Sequence, residues 1–219
     1  MNSICFKIKR DLEESILISH KLQNHYSKAL SELIPILSCG EESAALIFNN
    51  LANILEEKSE ARQKLLLISQ EEIVHEKMLR SLANSLPPPK KDLKLRRKVK
   101  LFFLSIQSTD LGKHFAQIAA LDSGVCIILS HLRRKNGPIY KEKAINNILS
   151  TIHREEARHA AISIDFAKKT LSKESLRNIF LQTRFKLNDL IINRKSSFET
   201  LKVNSTQLGE DLLEIPQFL

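Results

Sequence analysis

Apolar residues recur along this chain at three- and four-residue steps, the spacing of one helix face. Ile8, Leu12, Ile16, Leu22, Tyr26, Leu30 and Leu33 mark an amphipathic helix over 8–33. Ser31 and Pro35 suggest a new helical start, and a second stripe (Ile34, Leu37, Ala44, Phe48, Ala52, Leu55) runs to about residue 56. Ser59 is placed to cap a helix over 60–86, and Pro87-Pro88-Pro89 stops it. Residues 90–100 read as a long crossover. A third helix over 99–134 carries Leu104, Leu111, Phe115, Ile118, Val125, Leu129 and Leu132. Asn136-Gly137-Pro138 is a turn. A fourth helix over 140–171 carries Ile145, Leu149, Ile152, Phe166 and Thr170. A last helix over 174–203 (Leu176, Ile179, Phe180, Phe185, Leu187, Leu190, Ile191) precedes an irregular tail that wraps the bundle. The pattern predicts an all-α fold: a four-helix bundle, at about 34–171, with additional N- and C-terminal helices.

Composition sharpens this picture in a few places. At 219 residues, one domain over 1–219 is expected, with a core of useful size. Five Gly, six Pro and many Leu, Ile, Lys and Glu favour helices. No run of 18 apolar residues occurs, so no transmembrane helix is expected. The N-terminus lacks the apolar core of a signal peptide. Cys5, Cys39 and Cys126 are odd in number and widely spaced, which predicts reduced thiols in a cytoplasmic setting. No Cys-x-x-Cys pair is present, which excludes a zinc ribbon or a rubredoxin-type iron site. The net charge is +9, and cations concentrate between Lys90 and Lys100. Such a cluster suits RNA, an acidic carrier protein or anionic lipid, and equally a solvated connection. Gly112 and Gly124 in the third helix leave room for a close neighbour, or are simply tolerated there.

The apolar stripes are interrupted by acids. Glu41 lies inside its stripe, about 340° from Ile34 at 100° per residue, whereas Glu42 points about 80° away. Glu72, Asp122 and Glu156 sit mid-stripe in the next three helices, with no Lys or Arg among them. A buried, unpaired carboxylate costs several kcal/mol, so four of them demand partners, and a metal would neutralise them. Two of the acids open a Glu-x-x-His unit, Glu72 with His75 and Glu156 with His159. Residues three apart on a helix have Cβ atoms roughly 5–6 Å apart, so each unit aims a carboxylate and an imidazole at one point. Glu41 and Glu72 are equidistant from the turn near 56–57, and Asp122 and Glu156 from the turn near 139. Antiparallel hairpins would therefore set each pair level. Glu76 is a spare acid beside the first unit, and His153 lies one turn before Glu156, about 60° off its stripe.

One acid from each of two helices, with Glu-x-x-His from the other two, is the inward pattern of di-iron and di-manganese bundles. In this the chain resembles the ferritin-like superfamily, and within it the bacterial di-iron oxygenases and the small ribonucleotide reductase subunit. Glu-Glu-Ala-Arg-His at 155–159 is similar to the (Asp/Glu)-Glu-x-Arg-His motif of di-iron monooxygenases. The resemblance implies Glu41, Glu72, His75, Asp122, Glu156 and His159 as metal ligands and catalytic residues. It implies that Glu155 and Arg158, and Glu71 in the first copy, support the metal-bound histidines. It implies two iron ions, with manganese or a mixed Mn/Fe pair as alternatives, and O₂ as co-substrate. An external electron donor would be needed, and the substrate would be a small molecule, a carrier-bound group or RNA; a homodimer is an open option. The implied activity is an oxygenase or oxidase performing hydroxylation, N-oxygenation or desaturation.

The chain departs from its relatives at several points. Asp122 stands where most have Glu. His153 would be a third nitrogen ligand in the manner of arylamine N-oxygenases, although the spacing differs. Leu79 occupies the place of a radical-forming Tyr, which disfavours reductase chemistry. The alternatives are a tRNA-modifying hydroxylase of the same superfamily, a ferritin-like iron-storage protein, and a metal-free helical interaction protein. Phe115, Ile118 and Phe166 are candidates for a pocket wall.

Overall fold

A computed structural model describes residues 18–90 and 92–216. Among the described residues the chain is all-helical, with nine helices and no strand. These are α1 (Asn24–Ile54), α2 (Glu60–Ser85), α3 (Leu93–Ser105), α4 (Leu111–Leu132), α5 (Pro138–Lys141), α6 (Lys143–Ala167), α7 (Lys173–Ile192), α8 (Lys195–Thr200) and α9 (Ser205–Leu213). The two most extensive pairings are α1 with α2 and α4 with α6. Short connections make both of them antiparallel hairpins, and α2 meets α6 between them. On the outside, α7 packs on α4, α3 bridges α1 and α7, and α9 lies against α7 and α4.

Local chemistry sets most of these ends. Ser59 accepts a hydrogen bond from the Arg62 amide at 3.2 Å and so caps α2. Asp92 caps α3 through the Leu95 amide, and Asp110 caps α4 through the Lys113 amide, each at 2.9 Å. The apolar stripes then close two packed regions. One is built around Leu30, Met78, Leu82, Leu129 and Leu149, the other around Phe48, Leu65, Ala116 and Phe180. The small residues of α4 permit close approach. A Cβ at Gly124 would sit 2.5 Å from Leu187 Cδ2, and one at Gly112 would collide with Thr170 Oγ1.

Several expected boundaries move. No helical break occurs near Pro35, because α1 runs through it for 31 residues. A helix-interior proline removes one backbone bond and costs about 3 kcal/mol in isolation. Here Leu33, Ile34, Ile36 and Leu37 are all buried around it, and that packing outweighs the local penalty. Residues 18–23 are not helical, so an N-terminal helix over 8–33 is corrected to a start at Asn24; Ile8, Leu12 and Ile16 lie outside the described residues. The crossover is itself helical (α3), and the third helix splits at 106–110, where Asp110 restarts it. The last helix divides into α7 and α8, and the tail contains a capped helix, α9. There Asn204 accepts from the amides of Thr206 and Gln207. Phe185, expected on the inner face of α7, is 56% exposed, while Arg184 is buried in its stead.

α4 is the one helix among the described residues long and apolar enough to cross a membrane, by length and composition. Its apolar window is 72% buried inside the protein, as in a core helix.

Candidate metal centre

The site is built where the two hairpins meet. α2 contributes Glu71, Glu72 and His75; α6 contributes Glu155, Glu156 and His159; α1 brings Glu41 and α4 brings Asp122. All eight side chains are buried, with exposures of 5% or less. One ligand atom each from Glu41, Glu72, His75 and Glu156 lies within 4.8 Å of every other, and this cluster is able to hold a metal ion. Glu42, the alternative first-helix acid, is exposed.

The two imidazoles are arranged alike. His75 turns Nδ1 toward Glu41 Oε2 at 3.3 Å, Glu156 Oε1 at 3.2 Å and Glu72 Oε2 at 3.5 Å. His159 turns Nδ1 toward Glu72 Oε1 at 2.9 Å and Glu156 Oε1 at 3.7 Å. Glu72 and Glu156 therefore each face both rings, whose centroids are 5.8 Å apart. The outer nitrogens are held crosswise. His75 Nε2 meets Glu155 Oε2 at 3.0 Å, and His159 Nε2 meets Glu71 Oε2 at 3.0 Å. Arg158, 41% exposed, donates to the same Glu71 oxygen from the rim. Each glutamate preceding a Glu-x-x-His unit thus serves the histidine of the other helix. The spacing identifies both glutamates, but helical phase alone cannot say which ring each one reaches.

Asp122 is buried in the same region, outside the four-residue cluster. With Glu41, Glu72 and Glu156 it lines a cavity of about 30 Å³. The rest of that cavity is apolar, with Leu37, Phe103, Leu121, Val125, Leu187 and Leu190 in its wall. Phe103 fits because residue 40 is glycine, where a Cβ would lie 3.2 Å from its ring. Phe115, Ile118 and Phe166 are not in this wall. Phe115 stacks on Phe166 at 4.7 Å, and Phe115 and Ile118 belong to the second core region. His153 is half-buried and places Nε2 3.0 Å from Ser130 Oγ, outside the cluster. Glu76 pairs with Arg80 at 2.8 Å.

Electrostatics here are dominated by burial of like charges. Burial, and then the charges of Glu156 and Glu72, push the Glu41 carboxyl well above its usual range. The same causes raise Asp122. Burial opposes ionisation of Glu72 too, but the His159 charge and the close approach of Glu41 and both imidazoles outweigh it and hold this carboxyl low. Burial disfavours the His159 imidazolium, yet the Glu72 charge, the bond to Glu71 and the nearby oxygens of Glu156 and Glu72 raise it well above 6.5. Protons thus occupy a site whose oxygens would otherwise repel one another.

Those protons do not satisfy the site. Both Glu72 oxygens, Asp122 Oδ2, Glu156 Oε1 and His159 Nδ1 are buried without a hydrogen bond. Glu72 Oε1 and His159 Nδ1 are 2.9 Å apart, but not in hydrogen-bonding geometry. Buried polar atoms are otherwise paired in more than about 90% of cases. Acceptors that crowd together without bonding one another are what a cation needs around it.

Comparison with known proteins gives no match from any family model, curated protein or solved structure.

Proposed function

We propose that this chain is a ferritin-like protein and an O₂-activating non-haem di-iron oxygenase working in the cytoplasm. The observation that carries the reading is the buried cluster of Glu41, Glu72, His75 and Glu156, whose ligand atoms lie within 4.8 Å of one another, with Asp122 and His159 buried beside it. Glu41, Glu72 and His75 would hold one ion; Asp122, Glu156 and His159 the other. Two ferrous ions bound there would supply the electrons and the Lewis acidity that reduction of O₂ requires. Glu72 and Glu156 face both imidazoles and would supply carboxylate oxygens beside each of them. Glu155 and Glu71 fix the tautomers of His75 and His159 and raise their basicity from behind. The apolar cavity beside Glu41 and Asp122 keeps bulk water off the reacting side and leaves room for a small diatomic molecule. Free Cys39 and Cys126 fit a reducing compartment.

The reading is tested by O₂ uptake. Protein reduced and loaded with ferrous iron is mixed with oxygenated buffer at an oxygen electrode. Rapid uptake in proportion to protein, absent in His75→Ala and His159→Ala, is expected. Uptake no faster than that of free ferrous iron would overturn it.

A further inference from the structure

We propose that the outer face of α3 docks on an anionic lipid bilayer. α3 has two unlike faces. Leu95, Val99, Phe102 and Phe103 point inward and are buried. The opposite face carries Leu93, Leu101 and Leu104, exposed by 78%, 54% and 51%. Lys94, Arg97 and Lys100 are exposed with them. At 100° per residue these six side chains share an arc of about 120°. No acidic residue occurs between 93 and 105. The acids at its flanks are already paired: Asp92 with Arg194 at 3.2 Å, and Asp189 with Lys98, on the side of α3 away from this face, at 2.7 Å.

Size and chemistry select the occupant. A helix of 13 residues is about 20 Å long and about 10 Å across, so its face offers roughly 200 Å². A specific protein partner needs about 800 Å² per side. A nucleic acid backbone would use the cations and leave three leucines in water. A bilayer uses both, since acyl chains take the leucines while anionic headgroups attract Lys and Arg. The inference is independent of the metal centre.

Co-sedimentation with vesicles tests it. Intact protein is expected to pellet with phosphatidylglycerol/phosphatidylcholine vesicles in equal parts and to stay in solution with phosphatidylcholine alone. Joint replacement Leu93→Gln, Leu101→Gln, Leu104→Gln should weaken binding by about tenfold or more, as should Lys94→Gln, Arg97→Gln, Lys100→Gln. All six positions are exposed, so unchanged thermal melting checks the fold. The chain has no tryptophan, so Leu101→Trp adds a single fluorophore whose emission should shift to the blue on anionic vesicles and not on single-stranded RNA. The proposal is overturned by failure to pellet with anionic vesicles, by a leucine variant that binds as well as the intact chain, or by emission that does not shift.

Discussion

Each imidazole of the site is steadied by a glutamate from the opposite hairpin, His75 by Glu155 and His159 by Glu71. Loss of such a support usually weakens metal binding by about 10–100-fold. Glu155→Gln should lower metal affinity on that scale while leaving the helices intact, which chelator competition and circular dichroism would measure together. Unchanged affinity would mean that Glu155 only fills space. The buried acids also set a pH signature for the metal-free protein. Glu41 and Asp122 have folded-state values above their ordinary 4.5 and 3.8, so ionising them disfavours the fold as pH rises past those values. His159 is raised above 6.5, so its contribution is complete below 6.5 and is lost as pH climbs through its folded value. Both effects have the same sign. In chelator, the unfolding free energy read by chemical denaturation should fall between pH 6 and pH 8, with a slope of up to about 1.4 kcal/mol per pH unit for each titrating group. Added metal competes with those protons, so its stabilising increment should grow over the same interval. A metal-free protein that gains stability on this rise would refute the charge arrangement. Helical phase makes the acids and histidines legible in the sequence, including Glu41 over Glu42. It carries no information on the crossed pairing, which depends on how two helices are rotated against each other.

Helix ends follow local chemistry wherever local chemistry is strong. Ser59 before α2 and the three prolines after it are readable without coordinates. Pro35 misleads because tertiary burial on both sides outweighs a local penalty, and the Ser108-Thr109-Asp110 start of α4 is hidden within a continuous apolar stripe. The turn after α8 is a further case. The Val203 amide bonds to Phe198 O and the Lys202 amide to Glu199 O, both at 2.9 Å, a Schellman closure. Lys202 sits at φ 61°, a conformation that glycine adopts without strain. Lys202→Gly should therefore stabilise the protein by about 0.5–1 kcal/mol, despite the added freedom of the unfolded chain. Chemical denaturation would read it, and a loss of stability would show that the lysine side chain contributes more than its backbone costs.

Across the whole molecule, the bundle spends its driest region on its most polar residues. Around them the packing is reinforced by a buried arginine. Arg184 on α7 is 1% exposed and donates to Ala120 O, Ser123 Oγ and Leu212 O, tying α4, α7 and α9 together. Burial lowers its guanidinium to about 10, so it stays charged at neutral pH. No acid is needed beside it, because backbone carbonyls supply the counter-dipoles. Arg184 lies one helical turn beyond Phe180 and escapes a reading that follows apolar residues only. The cavity wall escapes it for another reason: Phe103 and Leu187 come from elements outside the two hairpins. The central claim, that six inward residues hold two metal ions, is best tested by counting metal. Protein loaded with ferrous iron under anaerobic conditions and desalted should carry two irons per chain by elemental analysis, and Glu72→Gln, His75→Ala and His159→Ala should each lose metal. A desalted protein without iron, or variants that keep the full complement, would contradict it.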